Sequence, residues 1–229
     1  MSNKIIFGAL WLGFTVYAFG FAPPDRSDTL QLIIDLSTGK WTGINPLVIA
    51  LFNLMGILPM AYACLMLIDG KTQKLPAGLF SAASFAVGAF AILPYLALRS
   101  SPANRRALPP HQSQIERRGM IRLVDSRWLG IALTLGAIGL LTYGLTQGNW
   151  ADFANQWQTN RFINVMSLDF CLLSLLLPVL ISDDIDRRTF SNPQAIKILS
   201  LIPLFGGLIY LCIRPNLPDR SIDSQPGLV

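Results

Sequence analysis

Residues 163–182 read INVMSLDFCLLSLLLPVLIS, an apolar run interrupted by one acid, Asp169. A helix rises 1.5 Å per residue, so roughly 20 such residues cover the ~30 Å hydrocarbon core of a bilayer. Runs of similar length recur outward from this one, at 5–22, 47–68, 77–98, 128–147 and 195–213. Apart from Asp169, only Lys197 carries a charge within them. The expected fold class is therefore all-α: a polytopic membrane protein with six transmembrane helices and short interfacial helices. Composition agrees, with 52% hydrophobic and 14% charged residues against roughly 25% charged in ordinary soluble domains. Loops and tails are shorter than the about 50 residues a domain needs, so no soluble domain is expected. The first run, 5–22, exceeds the about 7–15 apolar residues of a cleavable signal and reads as a retained helix.

Charge is concentrated in one place. The segment 99–127 holds Arg99, Arg105, Arg106, Arg117, Arg118, Arg122 and Arg127 against Glu116 and Asp125, which accounts for the whole formal net charge of +5. Loops enriched in Lys and Arg are typically cytoplasmic, so topology explains this patch better than nucleic acid does. With six spans, the basic residues favour both termini outside and the Arg-rich loop inside, although Lys4, Lys71 and Lys74 oppose that assignment. Within the loop, Ile115, Met120, Ile121, Leu123 and Val124 alternate with charges. This pattern suits a segment at the headgroups, its arginines facing anionic lipid at about 1 kcal/mol each. A bacterial plasma membrane is the default location and a photosynthetic (thylakoid) membrane the alternative. The lone His111 and the scattered Cys64, Cys171 and Cys212 do not form a ligand set, so no metal or cofactor is expected.

The chain repeats itself. Trp11-Leu12-Gly13 opens the first run and Trp128-Leu129-Gly130 the fourth; Asn45 and Asn164 each precede a proline, Pro59 or Pro178, by fourteen residues. Residues 90–99 (FAILPYLALR) and 205–214 (FGGLIYLCIR) share Phe, Tyr, Leu and Arg at matching places. The resulting division is 1–99 as a first three-span copy, 100–127 as the Arg-rich loop, 128–214 as a second copy and 215–229 as a polar tail. Three spans is an odd number, so the second copy is expected to be inverted, as in many transporters. Between the first two spans of each copy lie segments with apolar residues at helical spacing: Leu30, Ile33, Ile34 and Leu36 in one, Trp150, Phe153 and Trp157 in the other. Both suit helices lying at the membrane surface.

Few polar residues stand out as candidate sites. Asp169 is one, because a carboxylate inside a span costs roughly 2.5–3.5 kcal/mol on insertion scales and usually faces the bundle interior or a watery cavity. The competing reading places it in the first turn of a helix that begins later. Asn53, Ser167 and Ser174 are candidates for hydrogen bonds between helices, and Asn164 joins Asp169, Ser167 and Asn53 as a candidate polar site. Asp183, Asp184, Arg187 and Arg188 form the densest charged turn, read first as a solvated loop and second as a Mg²⁺-diphosphate site of the prenyl-transferring kind.

The second half resembles the small three-span bacterial family known as domain of unknown function 2834. The likeness rests on Asn164, Ser167 and Asp169, on the turn with Asp183, Asp184, Arg187 and Arg188, and on Gly206, Gly207, Tyr210 and Arg214. The first half shows it more loosely, with Ala50 opposite Asp169. The resemblance implies a membrane fold and no particular activity. The sequence thus leads to an accessory or assembly factor that binds other membrane components. The alternatives are a proton- or ion-coupled carrier with a midplane site at Asp169, or a lipid or isoprenoid enzyme. A reactive constellation is absent from the sequence, so the reading leans away from catalysis.

Overall fold

The structure is a computed structural model that describes residues 2–100, 119–188 and 190–217. Among the described residues it contains helices and connections, and no strand. Helix α1 (Ser2–Val16) continues through a wider π turn, Tyr17–Phe21. A surface helix, α2 (Thr29–Thr38), follows and ends at Gly39, whose φ of +77° suits a left-handed stop. Helix α3 (Pro46–Asp69) begins where the Asn45 side chain accepts the Leu47 N–H and Pro46 supplies a preset φ. Next come α4 (Ala77–Val87) and α5 (Ala89–Leu98). Beyond the Arg-rich loop the same order returns. A short α6 (Met120–Val124) leads into α7 (Arg127–Gln147), α8 (Trp150–Thr159), α9 (Arg161–Ile185), α10 (Pro193–Ser200) and α11 (Phe205–Ile213).

Four of these helices are long and apolar enough to cross a membrane: Asn3–Phe21, Pro46–Thr72, Arg127–Gln147 and Arg161–Ile185. The expected third and sixth spans do not form helices of that length. Residues 77–98 break at Gly88, where φ is +51° and ψ −124°, and the chain doubles back. Phe80 of α4 lies 5.7 Å, ring to ring, from Tyr95 of α5. At the open end of the hairpin, the Ser100 N–H donates to Gln73 Oε1 over 2.7 Å. Each arm of 10 or 11 residues covers only about 15 Å, half a bilayer core. Residues 193–213 fold in the same way. Pro203, which lacks an N–H, and Leu204, at φ +59°, interrupt the helix, and Phe190 meets Tyr210 6.1 Å away across the returning arms.

The arrangement of the two halves is corrected along with the span count. With its hairpin returning to the end it left, each half holds two helices long enough to cross, so a second half laid out in the same way keeps the direction of the first. Contacts at both ends of the bundle confirm this geometry. The start of α3 meets α8 through Asn45, which donates to Asp152 and to the Asn149 carbonyl, and the start of α9 meets the end of α1 through Arg161 and Pro23. At the opposite end, Asp69 closing α3 meets Arg187 just beyond α9. Helices α3 and α9 therefore run side by side in the same direction, and the halves are parallel, not inverted. The first residues of α1 stand at the same end of the bundle as Arg99 and Arg122.

The core lies between α3 and α9. Leu54, Leu58, Leu65, Leu173, Leu177 and Leu180 are buried there, and the Tyr62 hydroxyl donates to the Leu173 carbonyl over 2.8 Å. Helices α1 and α7 are peripheral, with only 17% of each apolar window buried, against 61% for α3. Helix α7 lies close along α3 because Gly144 leaves no room for a side chain: an added Cβ would stand 2.7 Å from that of Ala50. Helix α1 packs along α5 and reaches α9 only near its end, through Tyr17. The gap this leaves beside α9 forms the groove described below.

Candidate functional site

Two polar features are built into the bundle, a charged end and a groove. At the charged end each half contributes the same trio of side chains. The Tyr95 hydroxyl donates to Asp69 over 2.6 Å, and Arg99 stands 3.5 Å from the same carboxylate. The Tyr210 hydroxyl donates to Asp184 over 2.7 Å, with Arg214 3.5 Å away. In both trios the tyrosine follows the aspartate by 26 residues and the arginine follows it by 30. Pairs between the halves join the trios: Arg99 to Asp183 over 2.6 Å, and Arg187 to Asp69. Arg188 holds Asp184 at 2.9 Å and Asp125 at 2.7 Å, while fully buried Arg214 donates to the Val124 and Cys64 carbonyls.

The turn of Asp183, Asp184, Arg187 and Arg188 is therefore not the expected solvated loop. The ends of both hairpins fold over it, and Asp184 is 1% exposed. Burial works against the charge on Arg188, but Asp184, Tyr210 and Asp125 outweigh it and its pKa is raised. Nor is this the geometry of a diphosphate-metal site, since both aspartates are engaged by arginines.

The groove lies toward the other end, in a cavity of about 540 Å³ between the end of α1, α3, the tip of the first hairpin and α9. Phe19, Phe52, Phe85, Phe90 and Phe162 line it, with Val165 and Met166. At its rim Arg161 is held by Asp25 at 3.3 Å and by the Pro23 carbonyl at 3.0 Å. Asp169 stands at its base, eight residues or about 12 Å along α9 from Arg161. Asp169 is 6% exposed, and its Oδ1 accepts the Ala89 N–H over 2.7 Å. That donor is the first N–H of α5, where the helix dipole favours negative charge. Among the described residues no cation pairs with Asp169, whereas buried Asp69, Asp125 and Asp184 all meet arginines. Of the two sequence readings, the structure supports the acid within a span: Asp169 sits in the third turn of its own helix and caps a different one.

The other expected residues divide by role. Asn164 accepts from the Tyr17 hydroxyl at 2.9 Å and donates to the Trp157 carbonyl at 3.0 Å, joining α1, α8 and α9. Asn53 and Ser167 do not bridge helices; each bonds back to its own, to the carbonyls of Ile49 and Ile163. Arg122 is exposed on α6, beside buried Ile121 and Val124. Arg105, Arg106, Arg117 and Arg118 lie outside the described residues. The sequence reading did not bring Asp69, Tyr95, Arg99, Asp125 and Arg214 together as a cluster, although the paired spacings of 26 and 30 were there to find.

A second groove of about 480 Å³ lies on the other side of the α3–α9 pair. Phe52, Met55, Phe162, Val165, Met166 and Asp169 line the first groove; Ser167, Phe170, Leu47, Ala50, Leu51 and Leu54 line the second. Taken in order, the paired residues lie 115 positions apart in every case, as Asp69 does from Asp184. That register corrects the matches made at an offset of 119: Leu54, not Ala50, stands opposite Asp169; Asn160, which caps α9, is the counterpart of Asn45 in place of Asn164; and Ser174, not Pro178, answers Pro59. No family model, curated protein or solved structure matches this chain.

Proposed function

We propose that this chain is a small multi-pass carrier made of two parallel copies, in which Asp169 exchanges a proton for a transported solute. The carrying observation is a buried carboxylate that meets no cationic partner among the described residues, at the base of a groove that leads to one end of the bundle. Intramembrane acids in such positions typically mark proton or ion pathways. Interrupted helices at that depth are tolerated where they line a cavity, and the Gly88 tip does so. At the opposite end, the pairs Arg99–Asp183 and Arg187–Asp69 tie one half to the other, as expected of a closed gate.

Orientation belongs to the same reading. Among the described residues only Arg26, Lys40 and Arg161 stand at the groove end, and the other lysines and arginines stand at or near the charged end. The charged end is then cytoplasmic and the groove faces outward, with anionic headgroups beside Arg122. The decisive experiment uses vesicles with an imposed pH gradient and a panel of solutes. A solute that dissipates the gradient through the wild-type protein and not through Asp169→Asn supports the carrier. Dissipation unchanged by the substitution overturns it. Asparagine still offers an oxygen to the Ala89 N–H, so the variant should fold.

A second reading, the assembly factor expected from sequence, is favoured by the other groove. Its lining is almost wholly apolar and includes Trp150 and Trp157. One stoichiometric partner recovered in mild detergent, and lost on Trp157→Ala, would carry that reading instead.

A further inference from the structure

We infer that the ligand of the Asp169 groove is a lipophilic organic cation, such as an amine or onium ion carrying aromatic or aliphatic bulk. This inference rests on the carrier reading and supplies its substrate class. The cavity, about 540 Å³, falls within the roughly 300–1,000 Å³ typical of sites for drug-sized molecules. Its walls are apolar, with the rings of Phe52 and Phe162 6.4 Å apart and those of Phe19 and Phe90 6.2 Å apart. Aromatic faces attract cations and shed water readily. At the base stands a carboxylate whose one described partner is a backbone N–H, so a positive centre would complete it and an anion would be repelled.

The charged and titratable neighbours leave that place open. On α3 the nearest is Tyr62, whose hydroxyl is committed to the Leu173 carbonyl. On α4 and α5 the one titratable side chain is Tyr95, which is bonded to Asp69 at the far end. Arg161 of α9 is held at the rim by Asp25 of the α1–α2 connection. A small inorganic cation is a poor match, because such ions need several oxygen ligands and the walls are mostly carbon. The exchange balances in charge: the cation enters as the Asp169 proton leaves, and the reverse step restores the acid.

Tetraphenylphosphonium and tetraphenylborate, nearly identical in shape and opposite in charge, provide the test. Equilibrium dialysis against the purified full chain should show saturable binding of the phosphonium with proton release. Asp169→Asn should weaken it by more than about tenfold, and the borate should bind no better to the wild type than to the variant. Phe85→Ala, at the exposed hairpin tip, should weaken the phosphonium severalfold and leave labelling of Asp169 by dicyclohexylcarbodiimide intact. Equal binding of both ions, or phosphonium binding unaffected by Asp169→Asn, overturns the inference. A pH gradient dissipated through Asp169 by some other solute, with no phosphonium binding, leaves the carrier standing and removes only its substrate class.

Discussion

Asp169 and Gly88 explain each other. The hairpin tip turns with positive φ, and a Cβ at residue 88 would overlap the Asp169 carboxyl group. An L-residue in the left-handed region costs roughly 1–2 kcal/mol, and the overlap adds to that cost. Gly88→Ala should therefore lower stability by more than about 2 kcal/mol, while Gly139→Ala, which meets open space, should change it little; thermal unfolding in detergent would compare them. The acid itself was legible in the sequence, because one carboxylate in a run of leucines has few explanations. Its partner was not, because a backbone N–H leaves no mark among the side chains. Arg99 was legible as a topological signal and as part of a repeated ending, since nothing in a single residue says that it folds back over Asp183, 84 positions away.

At the scale of elements, length and composition located the long apolar helices and the shorter helices at 29–38 and 150–159 among the described residues, yet misjudged two apolar runs. Residues 77–98 have the length and hydropathy of a span. A glycine within such a run usually stays helical, as Gly56 does in α3 and Gly136 in α7. Only the acid facing it from another helix, together with the Gln73–Ser100 closure, distinguishes a hairpin from a crossing. Single cysteines at Gln73 and Ser100, in a chain whose native cysteines are replaced, should be labelled by a membrane-impermeant maleimide from the same side. Asn155, exposed on α8, should be labelled from the other side. Labelling of 73 and 100 from opposite faces would restore the six-span topology.

For the whole molecule, the sequence pointed to two similar halves of opposite direction, and in the structure α3 and α9 run the same way. The odd count of runs implied inversion, whereas two of the six runs fold as hairpins and leave four helices long enough to cross. The trios Asp69–Tyr95–Arg99 and Asp184–Tyr210–Arg214 give the true register and join the halves through Arg99 and Asp183. Arg99 is 8% exposed, so removing one partner leaves the other charge buried, at a cost of about 3–5 kcal/mol. Arg99→Gln and Asp183→Asn should each destabilise the protein, and together by clearly less than the sum. Additive effects in that double-mutant cycle would mean that the pair does not tie the halves together.

Because each half starts and finishes on one face, its orientation signals survive being written twice. A single half made as its own polypeptide would insert the same way up as it does within the full chain, and two identical halves could lie side by side about a common axis. Two such identical halves would carry either an acid in both grooves or leucine in both. Within one chain the two positions need not match, and Asp169 stands in one groove where Leu54 stands in the other.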